Sequence, residues 1–195
     1  MLSRVPVKDV EQTGNQDPCV LATNLNLDYL YTIITSQRRG RSALPFRLGL
    51  TQHHYKNLTL FINHTDSCEL SQEEPGEDLR QELMDLRIDE WRDIKILLTA
   101  HRNGCCQSEI WLAEIIAAGC LGGEHLWRDL GLNNRQELSR LLLDNFYSLA
   151  ASNSKDMKWK KYFYKQLCEQ EGGYVCRAPS CGECAAYSDC FGPED

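Results

Sequence analysis

No stretch of this sequence is apolar for long enough to cross a bilayer. Its longest apolar runs, such as Ile115 to Leu121, fall far short of the roughly 20 residues a spanning helix needs. No segment alternates polar and apolar residues with period two over a length that calls for a sheet. Basic residues are in deficit: 21 Lys and Arg against 28 Asp and Glu leave a formal charge of -7, which argues against a phosphate-binding surface and against nucleic acid as a partner. A protein or a small anion fits better. Met1 to Gln12 contains no apolar core of a signal peptide, so the expected location is the cytoplasm, with no membrane association. A nucleophile elbow, a phosphate-binding loop, a dinucleotide fingerprint and an HExxH helix are all missing, so a conventional turnover enzyme is not expected.

What the chain does have is helical periodicity and cysteine. Its 195 residues, 42% of them apolar, suffice for one substantial core. The first 22 residues lack a period and read as a poorly ordered arm. Leu25 to Ser36 and Gln52 to Asn63 read as helices, the second capped by Thr51. Between Cys68 and Asp78 the acidic run around Pro75-Gly76 reads as a solvated linker. Further on, Asp89 can cap a helix carrying Ile94, Leu97, Leu98 and His101, and Ser108 can cap one carrying Trp111, Leu112, Ile115 and Ile116. A short turn around His125 to Trp127 closes at Gly131. Asn134 opens a helix whose stripe runs through Leu138, Leu141, Leu142, Phe146 and Leu149. A last long helix is expected from Asn153 or Ser154, ending at Gly172-Gly173. The expected fold is therefore all-α: a helical bundle over residues 23–172, with a cysteine-rich tail over 173–195 packed against it.

Ten cysteines in a reducing compartment should be thiols or metal ligands. The Asn-x-Thr sites at Asn57 and Asn63 would matter only in a secreted chain and are taken as chance. Cys176, Cys181, Cys184 and Cys190 stand out, spaced C-x4-C-x2-C-x5-C within 15 residues. The gaps hold small residues, including Ala178, Ser180, Gly182, Ala185 and Ala186, which let a loop close around a compact object. Structural zinc usually pairs two knuckles across a longer stretch, and that separation is missing here. The dense run is more like the wrapping of an iron-sulfur cluster, although its spacing differs from the ferredoxin run. Zinc and a disulfide framework remain alternatives on spacing alone.

Around this motif lie weaker candidates. Lys158, Lys160, Lys161 and Lys165 could attract an anion or an acidic partner, or simply form a solvated helix face. Cys168 and His125 are second-tier ligand candidates, with packing roles favoured. His53, His54, His64 and His101 have no partner at ligand spacing and read as structural or surface groups. Adjacent Cys105 and Cys106 are poorly placed to chelate one metal, and Trp111, Trp127 and Trp159 read as core.

From Trp91 the chain reads WRDIKILLTAHR, then HLWRDLGL, then DMKWKKYFYKQLCE, and finally CRAPSCGECAAYSDCFGPE. Together these segments resemble the NifQ family of nitrogenase cofactor assembly. The resemblance runs from about residue 44, beginning weakly at LPFRLGL, to residue 195; the amino-terminal third is similar only in outline. It implies a carrier, not an enzyme, that holds an iron-sulfur cluster incorporating molybdenum, or a plain iron-sulfur cluster as its precursor. It implies Cys176, Cys181, Cys184 and Cys190 as the ligands, and all four motif positions are filled. The implied partners are the cofactor assembly scaffold, the nitrogenase iron protein, and molybdate or another molybdenum source.

Overall fold

The computed structural model describes residues 18–63, 77–170, 172, 184 and 187–194. Among these described residues ten helices follow in order: α1 (Pro18–Arg38), α2 (Gln52–Asn63), α3 (Glu77–Asp85), α4 (Ile88–Ala100), α5 (Ser108–Cys120), α6 (Leu126–Leu130), α7 (Arg135–Asn145), α8 (Tyr147–Ser152), α9 (Trp159–Gln170) and the single turn α10 (Tyr187–Cys190). Among the described residues there is no strand, so the all-α class expected from periodicity is what the chain adopts. No helix among them is long and apolar enough to cross a membrane. Residues 1–17 of the expected arm, 68–76 of the expected linker, and His64 lie outside the described residues.

The sequence of α5, SEIWLAEIIAAGC, has almost no polar face, and a helix apolar all round belongs inside a protein. Every residue of α5 except Ile110 is buried, and α4, α6, α1 and α2 pack around it. Gly119 lets α6 ride on its backbone: a Cβ there would stand 2.7 Å from Leu130 Cδ2. Two buried carboxylates on α5 fasten its neighbours. Glu114 meets His54 Nδ1 of α2 at 2.9 Å and Lys95 Nζ of α4 at 3.4 Å. Glu109, 1% exposed, accepts the backbone N–H groups of Gly104 and Cys105 at 2.7 and 2.9 Å.

Several helix ends differ from the sequence expectation. α1 begins at Pro18 and not at Leu25, because proline is tolerated in a first turn where its missing N–H has no partner to lose. α2 starts as expected, with Thr51 Oγ1 accepting from His54 N at 3.2 Å. Asp89 lies in the first turn of α4 and pairs with Arg92; Arg87 holds the capping position. Ser108 is already helical, and its hydroxyl serves Asn26 Nδ2 at 2.9 Å, in a buried network that also joins Asn26 to Asn145 Oδ1 at 2.7 Å. The stripe from Leu138 to Leu149 is split at Phe146, whose φ of -136° leaves the helix. Asn103 stabilises that break: its amide donates to Asp144 O at 2.7 Å and its carbonyl accepts Tyr147 N at 3.1 Å. Asn134 caps α7 as expected, accepting from Glu137 N at 2.8 Å.

Candidate metal site in the C-terminal segment

The largest departure lies between α8 and α9. Residues 153–158 form a tight loop in place of the expected first turns of the last helix. Asn153 closes it on itself, accepting from Met157 N and donating to Met157 O, both at 2.9 Å. Asp156 takes a left-handed conformation, φ 54°, which asparagine and aspartate tolerate better than most residues. Arg135, leading α7, fixes this turn by a fork onto Asp156 at 2.8 and 3.1 Å and bonds to the carbonyls of Asp156 and Met157. Lys158 is thereby delivered to the start of α9, its carbonyl accepting Tyr162 N at 2.9 Å.

Lys158 is where the C-terminal segment lands. Its backbone N–H donates to Cys190 O at 2.8 Å, and its ammonium donates to Ser188 O at 2.9 Å. One residue on, Phe191 is 5% exposed, joins the hydrophobic core and stacks on Tyr187 with ring centroids 4.6 Å apart. Further still, the side chain of Glu194 is only 3% exposed. Its carboxylate lies between His125 Nδ1 at 3.7 Å and Arg135 Nε at 3.6 Å. His125 precedes α6, Arg135 opens α7 and Lys158 precedes α9, so three helix beginnings converge on the segment that carries Cys190. A cleft of about 240 Å³ remains there, bounded by His125, Lys158, Lys161, Asp189 and Glu194.

Of the four expected ligands, Cys184 and Cys190 are described and both are half-buried, while Cys176 and Cys181 lie outside the described residues. Tyr187 N donates to Cys184 O at 3.1 Å, which ties the first of these two cysteines to the turn that ends in the second. Two thiols held at the surface of a helical domain, neither fully buried, are chemically suited to iron or another thiophilic metal. Cys120 is the contrast: burial pushes its thiol up to about 12, the mark of an inert packing cysteine. Among the described residues alone there is no group of three or more potential metal ligands.

The basic stripe is divided up inside the fold. Lys158 serves Ser188, Lys160 pairs with the buried Asp129 and donates to Gly122 O at 2.8 Å, and Lys165 pairs with Glu169 at 3.1 Å. Only Lys161 of the four is exposed. The Asp129 pair also shapes the loop before His125, since a Cβ on Gly122 would stand 2.4 Å from Asp129 Cγ. His53, His54 and His101 each have an intramolecular partner: Asn57 at 3.1 Å, Glu114 at 2.9 Å and Ser148 at 2.8 Å. Trp111 and Trp159 are core, whereas Trp127 is half-buried beneath the Arg128 guanidinium. Cys168 is half-buried on α9, and Cys106 is bonded into the Asn26 and Ser108 network. Sequence reasoning did not find Arg135, Phe191 or Glu194; the only signal was the run FGPE directly after the last cysteine.

These features define a class: a helical domain with a docked, thiol-bearing C-terminal segment as its candidate metal site. A family model described as NifQ matches residues 29–192. The chain is 47% identical over 186 residues to Protein NifQ of Azotobacter vinelandii, covering 93% of this chain and 95% of that protein. To Protein NifQ of Klebsiella pneumoniae it is 34% identical over 167 residues, 85% of this chain and 98% of that protein. A Protein NifQ homolog of Sinorhizobium fredii shares 46% over 115 residues, 54% of this chain and 50% of that protein. No solved structure matches. The chain belongs to the NifQ family, which is implicated in nitrogenase cofactor biosynthesis.

Proposed function

We propose that this protein is a carrier which holds molybdenum in a sulfur-ligated iron cluster and donates it for assembly of the nitrogenase iron-molybdenum cofactor. The observation that carries this reading is the run of four cysteines, Cys176, Cys181, Cys184 and Cys190, at the end of a chain of this family. Molybdenum must pass from a hard oxyanion, molybdate, into a sulfide environment beside iron, and thiolates are the protein ligands that suit the sulfur-rich side of that change. The cluster is cargo: it arrives or is built on the thiolates and leaves with a partner. The helical domain's part is to present the cysteines at its surface, and Lys158 and Phe191 do so for Cys190 through its backbone. The partners in this reading are the cofactor assembly scaffold and the nitrogenase iron protein, the setting is the cytoplasm, and there is no catalytic turnover.

The test is elemental analysis and visible spectroscopy of protein purified without oxygen, followed by a molybdenum-dependent cofactor synthesis assay. Brown protein containing iron, sulfide and molybdenum that supports the assay is the expected result. Each cysteine of the motif replaced singly by alanine should lower bound iron and molybdenum supply by more than about tenfold, since losing one ligand uncouples the shared site. Iron without molybdenum, with reversible redox cycling, would mean an electron-transfer protein instead. Colourless protein holding zinc, or alanine variants with undiminished supply, would overturn the carrier reading outright.

A further inference from the structure

We propose that His125, Arg135 and Lys158 form a receptor for the chain's own C-terminal segment, anchored by Phe191 and Glu194, and that this docking positions Cys184 and Cys190 for metal binding. The positioning half rests on the carrier reading; the docking half does not. Four points of attachment fall within seven residues, 188–194. Two backbone carbonyls, those of Ser188 and Cys190, are taken by one residue, Lys158. An aromatic ring enters the core at Phe191. A carboxylate with 3% of its side chain exposed then faces two cationic or potentially cationic groups at Glu194.

The receptor is held in place by bonds within the helical domain. Arg135 is held by Asp156 through its two terminal nitrogens, which leaves Nε turned toward Glu194; that nitrogen is buried and has no hydrogen-bond partner among the described residues. Lys158 is set by the Asn153 loop, and His125 by the turn that Asp129 and Lys160 hold. None of these supporting bonds involves the tail. A cluster-binding loop with one end fixed this way starts with part of its closure entropy already lost, so the thiols converge more readily than they would on a free terminus. Glu194 lies beyond hydrogen-bond distance of both its partners, so the direct bonds that hold the segment are the two that Lys158 makes to Ser188 O and Cys190 O.

The experiment uses the full-length, reduced, metal-free protein, treated with iodoacetamide and mapped by mass spectrometry for the rate at Cys190, with exposed Cys105 as internal reference. Glu194→Gln and Lys158→Met should each raise the Cys190 rate, by about tenfold in the double variant, because local opening governs access to a half-buried thiol. Lys158→Arg should return the rate toward the parental value, and the helical melting transition should stay where it is. An unchanged Cys190 rate in the double variant overturns the docking. The second readout is iron retained against a chelator after anaerobic reconstitution, which should fall in the double variant and recover in Lys158→Arg. Undiminished iron retention alongside faster alkylation overturns the positioning role. Failure of the parental protein to take up iron overturns it too, by removing the carrier reading, while the alkylation rates still decide the docking.

Discussion

Buried carboxylates occur both in the body of this protein and in its C-terminal segment, and they are held differently. Glu109 and Glu114, each 1% exposed, are satisfied by direct contacts of 2.7 to 2.9 Å from backbone amides and an imidazole. Glu194 is nearly as deep, yet its two partners stand at 3.6 and 3.7 Å. The apolar contribution differs in the same sense. Phe191 is the one large core side chain the described tail supplies, contributing about 2 kcal/mol by area, whereas Trp111, Leu112, Ile115 and Ile116 of α5 each supply a similar amount. A core needs one arrangement that never opens. The C-terminal segment is held by less: one aromatic anchor, two hydrogen bonds from Lys158 and a loose ion pair at Glu194.

The widest gap between the two regions should appear when α5 is hollowed. Ile115→Ala removes a side chain with no exposed surface at the centre of the bundle and should cost about 4 kcal/mol, within the range for large-to-small core changes. Chemical denaturation should show a lower midpoint with an unchanged slope. Because the tail receptor is assembled from α6, α7 and α9, Cys190 should become more reactive only as the whole domain unfolds. If Cys190 were freed by Ile115→Ala well below the global transition, core and tail would not be separable units.

A smaller effect is expected where the core relies on polar contacts. Glu109→Ala leaves the N–H groups of Gly104 and Cys105 without their acceptor and should cost about 2 kcal/mol, part of it recovered by water at this exposed turn. Hydrogen exchange at those two amides should quicken first. A loss below about 0.5 kcal/mol would mean that this core carboxylate is no more firmly used than Glu194, and the contrast between the two regions would fail.

How much of this was readable beforehand differs along the same line. Helices driven by an apolar stripe or a strong cap were legible: α2 with Thr51, α7 with Asn134, and the α6 turn closed by Gly131 all lie where their residues indicate. Two of the misplaced ends, at Phe146 and at residues 153–158, share one cause, a contact from far away in the chain. Phe146 continues the apolar stripe, and Asn103, more than forty residues earlier, bonds to the chain on both sides of the break there. Asn153 and Ser154 look like caps, but Arg135 holds residues 153–158 as a loop. In the candidate site, the cysteine spacing was local and visible. The receptor was not, because His125, Arg135 and Lys158 are scattered over three helix beginnings and converge only in the fold. The lysine stripe, open to reading as an anion-attracting field or a solvated helix face, becomes separate contacts once Ser188, Asp129 and Glu169 are in place, with Lys161 alone of the four exposed.

The smallest predicted effect tests whether α9 can be loosened along its body without disturbing its leading end. Tyr164 of α9 donates to Glu90 of α4, which also receives the Arg87 guanidinium at 2.6 and 2.7 Å. Burial alone would push the Glu90 carboxyl up, but the bonds from Arg87 and Tyr164 outweigh it and hold Glu90 below its ordinary value of 4.5. A depressed carboxyl stabilises the folded state above that value, and the contribution disappears as pH falls through the folded-state pKa. Burial, followed by the bond to Glu90, raises Tyr164 above its ordinary value of 10.0, so its contribution is complete below pH 10 and disappears as pH rises through its own folded-state pKa. Tyr164→Phe should therefore cost about 1 kcal/mol at neutral pH, where both contributions are present. It should flatten the alkaline fall in stability and weaken the acid one, where Arg87 still keeps part of the Glu90 shift. Urea unfolding from pH 3 to 11 measures both limbs. Since Lys158 lies at the far end of α9 and is set by Asn153 and Arg135, the Cys190 alkylation rate should not change. A faster rate in Tyr164→Phe would show that the tail depends on how α9 is packed as a whole, and the receptor would then be a property of the core it has been set against.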